Sequence, residues 1–305
     1  MRILFTGASS FTGYWIAREL IEQGHRVHAI CRKNHGSYEG VRKQRVEKLL
    51  GLSEITFGCQ FGSKSFLSLL KKQSFDLFCH HAADAYQYKS PEFDCLHAIN
   101  SNARNLRQVL QMLQDKGCRR VILTGSVFEP REGGDPESKA LSPYGLSKAL
   151  TAQIFQAYAE TRGMAMGKFI IPNPFGPYEE FRFTSYLAHN WLTGKTPAVA
   201  TPDYIRDNIP VDLLAKAYAH FVVTPEKEIL RPSGYIETQG EFTARLSQKM
   251  TERFSMPCPY ICKEQTEFPE PLRRINRDKP DVVWEENAFW DQLADYYLQA
   301  WKKSP

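Results

Sequence analysis

Tyr144 and Lys148 stand four residues apart in Ser142-Pro143-Tyr144-Gly145-Leu146-Ser147-Lys148. On a helix, positions i and i+4 share one face, so this spacing sets a phenol beside an ammonium. The ammonium should stabilise the phenolate and draw the tyrosine pKa down toward the working pH. Tyr144 could then exchange a proton with an alcohol or carbonyl oxygen while hydride moves at the neighbouring carbon. A seat for a hydride carrier lies at the start of the chain. Ile3-Leu4-Phe5-Thr6 reads as a strand, Gly7-Ala8-Ser9-Ser10-Phe11-Thr12-Gly13 as a turn into a helix. A pyrophosphate at such a helix N-terminus meets free N–H groups and the positive end of the dipole. Gly7 permits the tight turn, and Gly13 lets the helix pack closely on the sheet. Ser10 replaces the middle glycine of loops of this kind.

The second strand should end at Cys31-Arg32-Lys33. An acid there would bind the adenosine ribose 2′-OH and repel a 2′-phosphate; two cations stand there instead. Arg32 can grip a phosphate through paired N–H donors. The expectation is NADP(H) in preference to NAD(H). The alternative is that Arg32 and Lys33 belong to a solvated basic loop continuing into Arg42, Lys43 and Arg45.

Short apolar runs alternate with helical stretches around these residues. Ile3–Thr6, Val27–Cys31, Ile55–Phe57, Leu77–His80 and Val121–Thr124 read as strands. Trp15–Gln23, Ser65–Lys72 and Leu106–Lys116 have helical spacing. The alternation predicts an α/β fold, a Rossmann-type doubly wound parallel sheet. Beyond about residue 175 prolines and aromatics become dense, which predicts a smaller mixed C-terminal substrate lobe. The expected division is a dinucleotide-binding domain over 1–175, with 207–237 returning to it, and a substrate lobe from 176–206 and 238–305. Ala288–Trp301 should be helical, its aromatics in a core.

Composition sets the outer bounds. The chain has 305 residues, 42% hydrophobic and 24% charged, which fits a globular protein of one or two domains. Its net charge of +5 is a mild excess over a large surface and suits an anionic small ligand at least as well as a nucleic acid. No apolar run reaches the roughly 20 residues of a membrane span, and Met1-Arg2 leads directly into the first strand. Seven scattered cysteines lack zinc-site spacing and read as reduced thiols of a cytoplasmic protein. His80 and His81 are strand neighbours whose side chains should point to opposite faces, so no shared metal is expected.

In combination these segments resemble the extended short-chain dehydrogenase/reductases, the NAD(P)-dependent epimerase/dehydratase family. Thr6-Gly7 and Gly13 match its loop, with Ser9, Ser10, Phe11 and Thr12 between them. His80-His81-Ala82-Ala83 resembles the fourth-strand motif beside the cofactor, and Asn100 the asparagine of Asn-x-x-Gly-Thr, with Ala103-Arg104 for the last pair. Thr124-Gly125-Ser126-Val127-Phe128 resembles Ser/Thr-x-x-Val-Tyr, with Thr124 holding the substrate oxygen. Tyr144 and Lys148 match the catalytic pair. Pro172 and Asn173-Pro174-Phe175-Gly176-Pro177 resemble the Asn-x-Tyr-Gly-Pro segment, and Arg206-Asp207-Asn208-Ile209-Pro210-Val211-Asp212 the Arg-Asp-Phe-Ile-x-Val-Asp segment.

The resemblance implies that His80, Ala82, Ala83, Asn100 and Pro172 line the cofactor together with the loop, Tyr144 and Lys148. It further implies that Asn173 and Arg206 reach the diphosphate of a nucleotide-sugar. Asp84 and Ser126 are candidates for its sugar, and a second diphosphate arginine is sought among Arg273, Arg274 and Arg277. Cys59 and Ile170 depart from the family's usual aspartate and arginine. A homodimer is expected, with neither nucleic acid nor membrane as partner.

The departures narrow the chemistry. The family's dehydratases carry Asp-Glu after the active-site threonine, because eliminating water needs an extra acid and base; here those positions are Gly125 and Ser126. The carbon-acid cysteine of its 3,5-epimerase/reductases has no counterpart between Cys118 and Cys258. A nucleotide-sugar 4-ketoreductase is the leading expectation and a 4-epimerase the alternative. Further rivals are reduction of a non-nucleotide carbonyl and a cofactor-sensing regulator without catalysis.

Overall fold

The computed structural model describes residues 1–301. The first half runs β1 (Arg2–Thr6), α1 (Phe11–Glu22), β2 (Arg26–Ile30), α2 (Gly40–Leu50), β3 (Glu54–Thr56), α3 (Lys64–Lys72), β4 (Leu77–His80), α4 (Cys95–Asn102), α5 (Leu106–Asp115), β5 (Arg120–Ser126), α6 (Pro143–Glu160) and β6 (Ala165–Ile171). The second half runs β7 (Asn173–Phe175), α7 (Phe183–Leu192), β8 (Ala198–Val199), β9 (Ile205–Pro210), α8 (Val211–Val223), β10 (Ile229–Leu230), β11 (Tyr235–Thr238), α9 (Gln239–Phe254), β12 (Ile261–Cys262), β13 (Arg273–Arg274) and α10 (Glu286–Trp301).

Seven strands form one sheet in the order β10-β6-β5-β4-β1-β2-β3, and all six pairings are parallel. The chain winds outward from β1 toward β3, then crosses back to lay β4 on the other side of β1. That reversal opens a crevice at the carboxyl ends of β1 and β4, where ligands bind in open sheets of this kind. Alternate residues feed two cores. Ile3 and Phe5 pack with α1 and α8 on one face; Leu4 and Phe78 pack with Phe66, Val109 and Phe155 on the other.

A smaller sheet has β9 at its centre, antiparallel to β11 and parallel to β13 and β7. Of residues 207–237, α8 and β10 therefore pack with the large sheet, whereas β9 and β11 pair within the small one. Its helices α7, α9 and α10 enclose a third core that includes Trp191, Phe242, Trp290 and Tyr297. Trp191 and Trp290 are fully buried, and truncating either to alanine would cost about 3–5 kcal/mol.

The basic stretch after β2 is not a solvated segment throughout. Residues 40–50 fold as α2, and Arg45 on it is completely buried. Among the described residues no helix is long and apolar enough to cross a membrane, no cluster of His, Cys, Asp and Glu could hold a metal, and all seven cysteines are free.

Candidate active site

The crevice is built first by the loop between β1 and α1. Gly7 has φ +85°, and a Cβ there would lie 2.8 Å from the backbone nitrogen of Ala82. A Cβ on Gly13 would come within 2.2 Å of the Gly7 carbonyl oxygen. Only glycines allow the turn, the helix and the end of β4 to approach this closely. Ser10 does not loosen the loop. Its hydroxyl caps α1, accepting from the Gly13 N–H at 3.1 Å and donating to the Gly7 carbonyl at 2.8 Å. The Phe11 and Thr12 amides, in the first turn, have no carbonyl within the helix to bond. A glycine cradle beside uncommitted helix amides fits a dinucleotide pyrophosphate. Arg45 stiffens the arrangement by donating to the Ser9 carbonyl at 3.1 Å, to the Tyr178 carbonyl at 2.6 Å and to Glu180 at 2.6 Å. Arg32 and Lys33 are exposed at the end of β2. The turn that carries them is held by the Lys33 N–H donating to Tyr38 Oη and by the Lys33 carbonyl accepting from Gly58.

Opposite the loop, the two histidines diverge as their strand positions require. His80 lies among Phe61, Phe78 and Phe155, with Nδ1 2.9 Å from Thr6 Oγ1 and Nε2 3.2 Å from the Asn102 carbonyl. His81 stacks on Phe5 and lies 3.0 Å from Thr12 Oγ1 and 2.9 Å from Thr124 Oγ1. Burial, reinforced by the Lys148 charge, pushes both imidazoles down to about 3, so both are neutral. Ala82 donates its N–H to Thr6 Oγ1 at 3.2 Å, and Ala83 follows half-buried.

The asparagine assignment is corrected here. Asn100 is exposed on α4, whereas Asn102 is buried, carries the His80 contact and accepts the Asp84 N–H at 3.0 Å. Two positions on a helix differ by roughly 200°, so the two side chains leave opposite faces. Three residues after Asn102, Asn105 adopts φ +52°, the left-handed conformation glycine would favour.

Thr124 is buried on β5, and Lys148 on α6 donates to its carbonyl. The helix reaches β5 because Gly145 carries no side chain: a Cβ there would sit 1.9 Å from the Phe128 carbonyl oxygen. Ser142 caps it, with its hydroxyl also donating to the Tyr88 carbonyl at 3.0 Å. Tyr144 is enclosed by Tyr88, Phe93 and Phe128, with ring centroids 5.6, 5.7 and 6.3 Å away. The expected lowering of its pKa by Lys148 is not what this geometry produces. Burial raises the phenol well above its ordinary value, Glu129 and Tyr88 raise it further, and the cation that opposes them is Arg182. The Lys148 ammonium is itself pushed down to about 8 by burial, partly offset by Glu129.

Glu129 was invisible as a site residue in the sequence, being one carboxylate in an unpatterned loop. It is buried, accepts the Ser126 N–H at 2.8 Å and pairs with Lys168 at 2.6 Å. Ser126 Oγ accepts from the Phe128 N–H at 3.3 Å, within its own turn.

Arg206 is buried, and both its terminal nitrogens are already engaged. It donates to the carbonyls of Ile205, Pro271 and Leu272 and to Glu270 at 3.1 Å, and stacks on Tyr204 at 4.1 Å. Arg274 lies beside it in register on β13, donates to the same Glu270 oxygen at 2.8 Å and covers the Phe128 ring at 4.6 Å. Lys89 approaches the other Glu270 oxygen at 3.8 Å. Three cations around one partly exposed carboxylate leave an excess of positive charge next to the aromatic wall of Tyr144. Burial and the Arg274 charge push Arg206 down to about 10. Arg273 is exposed, and Arg277 donates to the Gly134 carbonyl instead. Asn173, half-buried on β7, pairs in register with Asn208 on β9, and Pro172 before it is buried. Asp84 is partly exposed, 3.8 Å from His97.

Comparison with known proteins agrees with this geometry. Residues 3–231 match the model of the NAD dependent epimerase/dehydratase family. No curated protein matches the sequence significantly. Among solved structures, the chain is similar to the UDP-glucose 4-epimerase of Thermotoga maritima, with TM-score 0.76 and 17% identity over 98% of this chain and 99% of that one. The UDP-glucuronic acid 4-epimerase of Bacillus cereus gives TM-score 0.76 and 16% identity, over 98% and 100%. A dTDP-glucose 4,6-dehydratase of Streptomyces venezuelae gives 0.72 and 18%, over 98% and 97%. At such identities the structures establish the shared fold. With the family model spanning most of its length, the chain belongs to the NAD-dependent epimerase/dehydratase family of extended short-chain dehydrogenase/reductases.

Proposed function

We propose that the protein reduces a keto carbon at C4 of a nucleotide-diphosphate sugar and prefers NADPH. The observation that carries the reading is a protonated Tyr144 on a cation-rich wall. Burial and Glu129 keep the phenol neutral, so it is poised to donate a proton. Arg206 and Arg274 converge a short way off on a single carboxylate that a diphosphate could replace. When bound, the nicotinamide supplies hydride. Tyr144 protonates the forming alkoxide, and the Thr124 hydroxyl orients the reacting oxygen. Lys148, charged below about pH 8, attracts negative charge developing at that oxygen and reaches the cofactor ribose. Gly7, Ser9, Ser10, Phe11, Thr12 and Gly13 hold the pyrophosphate, and Arg32 and Lys33 the 2′-phosphate. Asn173, with Arg206 and Arg274, takes the diphosphate; Asp84 and Ser126 face the sugar.

A second reading, 4-epimerisation, is favoured by the likeness to structures described as 4-epimerases. The same residues would then act in both directions on one sugar. The protein, purified without added cofactor, is to be supplied with 4-keto nucleotide-sugars and NADPH or NADH. Net NADPH consumption supports the reductase. Retained cofactor with interconversion of C4 epimers and no net consumption supports the epimerase, and no turnover of any nucleotide-sugar overturns both. We infer a cytoplasmic homodimer, joined through α4 and α6, where Leu96, Leu146 and Tyr158 are exposed.

A further inference from the structure

His81 lies outside the proton-transfer set, yet its ring touches both halves of the site. Nε2 is 3.0 Å from Thr12 Oγ1 in the first turn of α1, and Nδ1 is 2.9 Å from Thr124 Oγ1 on β5. The ring is buried and stacked on Phe5 at 5.7 Å. A neutral imidazole has one donor and one acceptor, so bridging two hydroxyls settles the direction of both. In one arrangement Thr12 donates to Nε2, and Nδ1–H donates to Thr124. The Thr124 hydrogen is then not taken by His81. In the other, the Thr124 hydrogen is taken by Nδ1 and only lone pairs face outward. A keto oxygen carries lone pairs alone, so only the first arrangement gives it a hydrogen bond from Thr124.

We propose that His81 is a positioning residue: protonated on Nδ1, it aims the Thr124 O–H at the substrate oxygen and ties that hydroxyl to Thr12 at the cofactor loop. The proposal rests on the reading of Thr124 given above. It adds a physical reason for a histidine at a place where an apolar side chain would pack equally well against Phe5. It also makes the substrate hydroxyl and the cofactor loop parts of one hydrogen-bonded chain, Thr12–His81–Thr124, so order at one end is felt at the other.

Two substitutions separate the ends of that chain. The amide of asparagine falls near the Nδ1 position and that of glutamine near Nε2. His81→Asn should keep the Thr124 contact, hold kcat within about threefold, and weaken NADPH binding about fivefold by releasing Thr12. His81→Gln should keep NADPH binding within about twofold and lower kcat about tenfold. Equal losses of kcat and cofactor affinity in both variants would reduce His81 to a packing residue and overturn the proposal. Nitrogen-15 NMR of histidine-labelled wild-type protein tests it independently of folding or turnover. A proton on Nδ1 is expected, and the Nε2–H tautomer would sink the idea. The NMR and cofactor arms need no substrate. A wild type inactive on every nucleotide-sugar would therefore count against the proposed reaction while these two arms still decide the role of His81.

Discussion

Tyr144, half-buried beside three aromatic rings, keeps its proton because its partial burial raises the phenol and because Glu129 adds a negative charge nearby. The same carboxylate supports the charged form of Lys148. Removing its charge lowers both pKa values, since a phenolate gains a less hostile field and an ammonium loses its counter-charge. Reduction needs Tyr144 protonated and Lys148 charged. Glu129→Gln should therefore move the basic limb of the kcat/KM profile to lower pH by about one unit; an unmoved limb would show that Glu129 acts only on Lys168. At the cofactor edge, Arg32→Asp should weaken NADPH binding at least tenfold more than NADH binding, because it replaces a phosphate partner by a repelling charge. Equal loss for the two cofactors in a titration would rule out a 2′-phosphate contact. The four-residue spacing put Tyr144 and Lys148 forward as candidates, because their chemistry needs a phenol beside an ammonium, whereas Thr124 entered through the family resemblance. Asn102 stayed hidden behind Asn100 because which of two nearby asparagines faces inward depends on helix phase, and α4 is short. Glu129 and His81 owe their places to burial and partners distant in sequence, which no local pattern encodes.

At the scale of elements, α6 is the part that must be held to a fraction of an ångström. It brings Tyr144 and Lys148 to β5 only through the bare face of Gly145 against the Phe128 carbonyl. Gly145→Ala should gain helix propensity of about 1 kcal/mol yet force the helix off β5. A displacement of about 1 Å at reacting groups costs on the order of a hundredfold in rate. The expected outcome is kcat lowered about a hundredfold with helicity by circular dichroism unchanged; full activity would mean that the backbone yields freely there. Glu179, just before α7, reports on the second lobe. It accepts from the Thr184 hydroxyl and from Tyr297 Oη at 3.2 Å. Burial pushes its carboxyl up to about 7, opposed by those bonds and by Arg182. The folded form therefore binds this proton more tightly than the unfolded chain, whose value is near 4.3. Its contribution to stability is complete below that value and is lost as pH rises through about 7. Glu179→Gln keeps the accepting oxygen without the titration. Its Tm should match wild type below about pH 4 and exceed it at pH 8 by about 3 °C or more. Parallel Tm curves for the two proteins would contradict the assignment.

Over the whole molecule, the alternation of apolar runs and helical stretches made the parallel sheet legible, because a strand buried on both faces must be apolar and its crossovers must be amphipathic. The way the substrate side is fastened to the cofactor side was not legible, since Arg45 sits in a run of cations that reads as solvated. That arginine is fully buried against the turn that follows β7, where the chain enters the second lobe. Tyr178 there has φ +65°, a left-handed conformation costly for a tyrosine. Trp15 holds the preceding Pro177 carbonyl at 3.0 Å, Lys48 covers the Tyr178 ring at 5.1 Å, and Arg45 joins the Tyr178 carbonyl, Glu180 and the Ser9 carbonyl of the glycine loop. One guanidinium thus fixes the glycine loop and the entrance to the second lobe together. Lysine cannot reproduce it, because a single ammonium does not span three acceptors set out for a planar fork. Arg45→Lys leaves at least one buried carbonyl without its donor, at about 1–3 kcal/mol each. For a chain of this size that lowers Tm by roughly 3–10 °C. The loss should be shared by the cofactor site: NADPH affinity should fall about tenfold, and saturating NADPH should raise the Tm of the variant less than that of wild type. A variant Arg45→Lys that loses Tm but binds NADPH as wild type does would confine Arg45 to holding the Tyr178 turn and detach it from the cofactor loop.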